Sequence, residues 1–150
     1  MRTTVITLLL LLALSEVRAQ DASSLQKQKQ QVDNMVSQMQ NYFMVILTKG
    51  PNQNQENTEL EKLKNEHLAN MMVMANKGKL ILAGPFMDNG NMRGIFIFDV
   101  ATEAEVRQLV DTDPMVKAGR MNYEVHSWFG PKVLRELNRI YRADLEREKK

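Results

Sequence analysis

The sequence predicts an α+β fold in which two helices cover one face of a four-stranded sheet. Four short runs are rich in β-branched and aromatic residues, and two longer segments between them repeat apolar residues at helical spacing. A strong turn signal at residues 88–91 joins the second and third strands into a hairpin. The resulting order, β-α-β-β-α-β with a further helix at each end, is typical of the ferredoxin-like fold.

The first strand and helix follow from apolar patterning. Residues 42–47 are all apolar or aromatic, which favours a strand buried on both faces. After a polar loop, Thr58 and Glu61 have the spacing of a capping box, which predicts the start of a helix that Gly78 ends. At helical periodicity, His67 falls inside the apolar sector of this helix. The other members of that sector are Leu60, Leu63, Met71 and Met74.

The hairpin is predicted to consist of strands at residues 80–86 and 93–100. The first of these contains Gly84-Pro85, and because proline cannot donate a hydrogen bond to a neighbouring strand, this strand ends there or lies at an edge. The second helix opens with another capping box, Thr102 to Glu105. Asp113-Pro114 ends it, since a residue before proline avoids the helical conformation.

The last two elements are a strand at residues 121–128, with alternating side chains, and a helix that starts at Gly130-Pro131. One apolar stripe runs along this helix, and its charged end is expected to be solvated. The stripe consists of Val133, Leu134, Leu137, Ile140, Tyr141 and Leu145.

The pattern of the N-terminal residues is typical of a targeting segment. One arginine precedes an apolar, leucine-rich run that is shorter than the roughly 20 residues a membrane-spanning helix needs. We therefore predict a signal peptide at residues 1–19, cleaved after Ala19, and a secreted or periplasmic protein; an uncleaved anchor is the alternative. Residues 20–40 form a polar, weakly amphipathic helical arm. The predicted folded domain spans residues 41–130, and residues 131–150 form the C-terminal amphipathic helix.

Composition excludes several classes of function. The 150 residues contain no cysteine, so thiol catalysis and thiolate metal sites are excluded, and the net charge of +2 favours no acidic partner. Two histidines far apart in sequence predict no metal site. Nucleotide fingerprints, phosphate loops and aromatic-basic surfaces are lacking, so we predict no cofactor and no nucleic-acid partner. Because the only long apolar run lies in the predicted signal peptide, we also predict no stable membrane span after cleavage.

His67 and Asp113 are the candidate catalytic residues. Histidine exchanges protons near neutral pH, and a carboxylate on one ring nitrogen would leave the other nitrogen for a substrate. Helical periodicity does not establish that the two residues meet, so the alternative is a core histidine and an ordinary turn aspartate. Asp111 is a second candidate for the acidic role, although Pro114 restricts the position of Asp113 more tightly.

Four further residues are candidates for substrate binding. His126 shares a strand face with Trp128 and could line the same cavity or pack at a dimer interface. Arg93 could meet an anionic substrate, although a surface role is commoner for arginine. Phe86 and Trp128 could form an aromatic wall, or belong to the core.

An ordered set of motifs resembles the YCII-related domain family over residues 41–130. The motifs are His67-Leu68, Gly78-Lys79-Leu80, Ala83-Gly84-Pro85, Arg93-Gly94-Ile95, Asp113-Pro114, Val116-Lys117-Ala118-Gly119, Glu124-Val125-His126 and Trp128. The resemblance implies a dimeric α/β barrel of the ferredoxin-like type, with an active site made of His67 and Asp113. A member of the family that acts on chlorinated hydroxyquinols uses such a pair for acid–base elimination.

Two functions follow as hypotheses. The first is an exported, cofactor-free enzyme that uses His67 and Asp113 for elimination or isomerisation of a small molecule. The second is a non-catalytic module of the same fold that binds a small ligand or mediates dimerisation. In both cases we expect a homodimer, because a second chain would cover the open face of the sheet.

Overall fold

The computed structural model describes residue 21 and residues 23–147, and these residues fall into two compact units that divide between Met39 and Gln40. In the first unit, residues 23–37 form helix α1, whose apolar side chains, such as Leu25 and Met35, are exposed. The predicted signal peptide, residues 1–19, lies outside the described residues. None of the helices in the described part of the chain is long and apolar enough to span a membrane.

The second unit is a four-stranded sheet with helices, and the predicted ferredoxin-like α+β fold is confirmed. The strands lie in the order β2-β3-β1-β4, and β3 is antiparallel to both β1 and β2. The elements are β1 (Met39–Lys49), α2 (Asn57–Asn76), β2 (Leu80–Pro85), β3 (Met92–Phe98), α3 (Glu103–Val110), α4 (Pro114–Lys117), β4 (Met121–Pro131) and α5 (Leu134–Arg147).

The main core lies between the helices and one face of the sheet. Val45 of β1 is paired with Phe96 of β3, and both are buried against Met74 of α2 and Val106 of α3. Because side chains alternate along a strand, Met44 and Ile46 lie on the opposite face, where they face their β3 partners Ile97 and Ile95. The candidate site lies on the helix-facing side of the sheet.

Two predicted helix starts have different outcomes. Helix α2 begins at Asn57, with Glu56 in the cap position and no side-chain cap, so the predicted Thr58–Glu61 capping box is wrong. Glu61 instead accepts a hydrogen bond from Lys64 at 2.6 Å, one turn along the helix. At helix α3, the Thr102 hydroxyl accepts a hydrogen bond from the Glu105 backbone N–H, as predicted. The carboxylate of Glu105, however, binds Lys79.

The segment around Asp113 differs most from the prediction. Helix α3 ends at Val110, and Asp113-Pro114 starts the short helix α4 instead of ending the one before it. Gly119, with a φ of 68°, occupies the left-handed conformation that glycine favours and leads the chain into β4. Asp113 is thereby placed between α3 and α4, and α4 packs against α2.

The C-terminal elements also have different limits. Strand β4 continues to Pro131, and α5 starts at Leu134, later than predicted, because residues 129–131 still belong to the sheet. Along the predicted apolar stripe, Val133, Leu137 and Ile140 are largely exposed. The side chains of Tyr141 and Leu145 lie outside the described residues.

Candidate active site

His67 projects from α2 towards the sheet. Its side chain is only 14% exposed, and its ring stacks on Phe96 of β3 with centroids 6.0 Å apart and planes 24° apart. This placement follows from the helical periodicity that puts His67 among apolar residues. The packing restricts rotation of the imidazole, so its two nitrogens have defined surroundings.

Asp113 is the only charged residue that is buried among those described, with 0% exposure. It caps the N-terminus of α4, where its Oδ1 accepts a hydrogen bond from the Met115 backbone N–H at 2.8 Å. Pro114 occupies the first turn of that helix, where its missing N–H costs nothing. Cap and proline together hold this carboxylate in one position.

His67 and Asp113 are in direct contact. The Nδ1 atom of His67 lies 2.6 Å from Oδ2 of Asp113, a short charge-assisted distance. If Asp113 is ionised, its carboxylate can only accept hydrogen bonds, and the hydrogen of this bond belongs to Nδ1. The lone pair of the neutral ring is then on Nε2, which has no hydrogen-bond partner among the residues that the structure describes. A histidine in this state can take a proton from a bound molecule.

A cavity of about 630 Å³ opens beside His67. This volume is within the range of small-molecule sites. Apolar side chains from both layers line it, together with several basic side chains. The apolar ones are Leu47, Leu60, Leu68, Met71, Pro85, Phe96, Met115 and Met121.

Comparison with models of protein families finds a match for this domain. A model of the YCII-related domain matches residues 41–129. The chain belongs to the YCII-related domain family. The predicted membership is therefore confirmed, over almost the same residues as the motifs indicated.

Solved structures contain a similar protein, whereas no curated protein matches this chain significantly. The similar structure is 5-chloro-2-hydroxyhydroquinone dehydrochlorinase from Burkholderia phenoliruptrix AC1100, in complex with 2,5-dihydroxybenzoquinone. It is 24% identical, with a TM-score of 0.45, and the match covers 58% of this chain and 92% of the other.

The other predicted site residues of this YCII-related protein are only partly brought together. Arg93 lines the cavity, whereas Phe86, His126 and Trp128 do not. His126 and Trp128 follow the strand alternation of β4 onto the opposite sheet face, where the Trp128 ring packs 5.9 Å from Tyr42. A substrate-binding role for these three residues stays a prediction that this cavity does not support.

Three basic residues of the cavity were not predicted: Lys49, Lys64 and Arg120. Lys64 precedes His67 by three positions on α2, so helical spacing places both on one side. Lys49 follows the buried Leu47 by two positions in β1, so strand alternation places it on the helix-facing side. Arg120 comes near them because the Gly50 backbone N–H donates to the Arg120 carbonyl at 2.8 Å where β1 meets β4.

Asp111, the alternative acidic residue, has a different role. Its carboxylate accepts a hydrogen bond from the Tyr123 hydroxyl at 2.7 Å. Burial, followed by this hydrogen bond to Asp111, raises the pKa of Tyr123 above its usual value of 10.0. Within the described residues, no group of three or more acidic or histidine side chains could hold a metal ion.

Proposed function

We propose that this protein is an enzyme that moves protons on a small organic substrate without a cofactor, by elimination or isomerisation. The contact between His67 Nδ1 and the buried Asp113 carboxylate, at the wall of a cavity large enough for such a substrate, carries the proposal. Membership of the YCII-related family supports it, because the resemblance described above implies the same two residues.

In the proposed reaction, His67 Nε2 accepts a proton from an acidic C–H bond of the substrate, and the electron pair of that bond stays on the substrate. In an elimination, this pair forms a new double bond while a leaving group departs with its own bonding pair, and His67 then returns its proton to that anion or to water. In an isomerisation, His67 returns the proton to a different atom of the substrate. Both outcomes balance without an oxidant or a reductant.

Asp113 acts as the positioning residue. Its carboxylate keeps the hydrogen on Nδ1 and stabilises the imidazolium that forms when Nε2 takes up a proton. Since Asp113 is fully buried and held by the Met115 N–H, the pair is oriented before a substrate arrives. Such preorganisation avoids reorganisation of the site during the proton transfer.

Exchange of hydrogen for deuterium tests this function before the substrate is known. Small phenols, enones and halogenated or hydroxylated carbonyl compounds would be incubated with the protein in D₂O, and loss of their C–H signals would be followed by NMR. We expect exchange that disappears in His67→Gln and persists in Arg139→Gln, a surface variant outside the cavity. Binding of compounds in the cavity without any exchange would favour a non-catalytic ligand-binding module instead.

We also propose that the protein is a homodimer through the open sheet face. Met44, Ile46 and Ile95 alternate onto that face and are half-buried in the single chain. Apolar side chains on one sheet face favour burial against a second sheet. Sedimentation of the wild type and of Ile46→Lys would test this: a monomeric wild type would contradict the dimer.

Export is the remaining part of the proposal. The leucine-rich segment before Ala19 supports cleavage by a signal peptidase. Mass spectrometry of the protein from its natural host would show a mature chain that starts at Gln20. A chain that retains residues 1–19 would contradict the proposed cleavage.

A further inference from the structure

We propose that the cavity beside His67 takes a small organic anion, a carboxylate carried on an aromatic or otherwise flat apolar body. The inference deepens the proposed function, on which it rests, by assigning the chemical class of the substrate. It is based on the charges that line the cavity, the partners of those charges, and the apolar surface between them.

The charges on the cavity wall have one sign. Four basic residues line it, and no Asp or Glu does among the residues that the structure describes. The Asp113 carboxylate, beside the cavity, is fully buried and occupied by His67 and the Met115 N–H. The whole chain has a net charge of only +2, so this concentration of positive charge is local. The four basic residues are Lys49, Lys64, Arg93 and Arg120.

Three of these cations have no anionic partner among the described residues. Lys49 donates to the Asn89 backbone carbonyl at 3.2 Å, and Arg120 donates to the Gln53 carbonyl and the Gln55 side chain at 3.1 and 2.8 Å. Arg93 makes no side-chain hydrogen bond or ion pair with any described residue. Only Lys64 is paired with a carboxylate, that of Glu61 at 2.6 Å.

Arg93 is the residue best suited to bind the anion. Its side chain is half-buried, so it has lost part of its hydration without gaining a protein acceptor. A guanidinium offers two parallel N–H donors that match the two oxygens of a carboxylate, and this charge-assisted pair is stronger than a neutral hydrogen bond. Lys49 and Arg120 add positive potential without a competing carboxylate.

The rest of the wall suits a flat apolar body. Leu47, Phe96 and Met115 are almost fully buried and contribute carbon surface to the cavity, and the stacked rings of His67 and Phe96 form part of it. Aromatic and thioether groups pack well against aromatic rings. A carboxylate bound by Arg93 would therefore leave its apolar body against this surface, in the cavity that His67 also lines.

Three probes of one shape and different charge test the inference: benzoate, benzamide and benzamidinium. Binding would be followed by the ¹³C-methyl signals of the cavity methionines Met71, Met115 and Met121, with the exposed Met87 as an internal control. We expect benzoate to bind about tenfold more tightly than benzamide, and benzamidinium to bind most weakly. Added salt should reduce the preference, because it screens the partly exposed cations.

Matched variants assign the preference to the cavity. Arg93→Gln should remove most of the difference between benzoate and benzamide, whereas Arg139→Gln, which removes the same charge from α5, should preserve it. His67→Gln should also preserve it, so a failure of the catalytic proposal leaves the anion preference intact. Equal binding of the three probes would overturn the anion inference alone. Failure of all three to shift the cavity methyl signals would overturn it as well.

Discussion

The described residues include two histidine–carboxylate pairs, and these lie on opposite faces of the same sheet. On the helix side, His67 contacts Asp113 at 2.6 Å, with side chains that are 14% and 0% exposed. On the other face, His126 lies 3.5 Å from Glu124, with side chains that are 52% and 64% exposed. The same chemical groups are therefore present twice, once in a buried and restricted pair and once in a solvated one.

The two pairs differ in how firmly their surroundings hold the side chains. His126 and Glu124 are neighbours on one strand, and water screens their attraction, so the pair contributes little. His67 and Asp113 come from α2 and from the cap of α4, and each is also held by a second contact, with Phe96 and with the Met115 N–H. The His67–Asp113 pair is distinguished by its burial and by the second contact that holds each side chain, more than by the distance between the two groups.

Exchanging each histidine for glutamine should give the greatest difference in activity between the two pairs. We expect His67→Gln to lower kcat/KM by about 10²- to 10⁴-fold, the usual contribution of a general acid–base group. His126→Gln should leave kcat/KM unchanged, because its side chain is outside the cavity. Steady-state kinetics on the compound that shows exchange would measure both. Equal losses in the two variants would refute the assignment of His67.

The two carboxylates should also differ in their effect on stability. Asp113→Ala removes the cap of α4 and leaves the Met115 N–H and His67 Nδ1 without their acceptor, which should cost about 2–4 kcal/mol of unfolding free energy. Glu124→Ala removes an exposed partner and should cost less than about 0.5 kcal/mol. Urea denaturation would measure the two values. Similar values would contradict the structural difference between the pairs.

Chemical modification compares the accessibility of the two histidines in the wild-type protein. Diethyl pyrocarbonate reacts with accessible, unprotonated histidine nitrogens. We expect His126 to be modified before His67, since its side chain is 52% exposed against 14%. Peptide mass spectrometry over a time course would give the two rates. Earlier modification of His67 would show that its ring is more accessible than the structure indicates.

A smaller effect is expected at Tyr42, which shares the sheet face of His126. Burial, and then the negative charge of Asp99, raises the pKa of Tyr42 above 10.0. The folded state therefore holds this proton more tightly than the unfolded chain. Its contribution to stability is complete below pH 10 and is lost as pH rises through the pKa of the folded state.

Tyr42→Phe tests this pH dependence. The hydroxyl donates to the Pro131 carbonyl at 3.0 Å, so its loss should cost about 1 kcal/mol at neutral pH. The variant should also lose stability less steeply than the wild type above pH 10, although Tyr123, whose pKa is raised too, will leave some dependence. Thermal unfolding from pH 8 to pH 11 would show this. Parallel curves for both proteins would contradict the expected contribution of Tyr42.

Local patterns predicted the strands and helices well, and the position of His67 followed from helical periodicity alone. The contact with Asp113 did not, because it joins residues 46 positions apart. Only the resemblance to the YCII-related family pointed to it. Local patterns also could not predict that Lys49 and Arg120 lie close together, because their proximity depends on the pairing of β1 with β4.

The role of Asp113 as a helix cap was missed although its signal was present. An aspartate followed by proline is compatible with the start of a helix as well as with the end of one. The short α4 adds only four residues after it, too few for a visible apolar period. At Thr58 the opposite error occurred: a matching capping pattern was present, but the cap is Glu56 and the helix starts at Asn57, two residues earlier than a Thr58 cap would start it.

We propose that Asp113 keeps the proton of neutral His67 on Nδ1, which leaves Nε2 free to accept one. ¹⁵N NMR tests this tautomer directly. Histidine-labelled wild type and Asp113→Asn would be compared at a pH where histidine is neutral, with His126 as the internal reference. Wild-type His67 should be in the Nδ1–H form, and its tautomer should change in the variant, whose amide can donate to Nδ1. A wild-type ring in the Nε2–H form, or one that ignores the substitution, would contradict it.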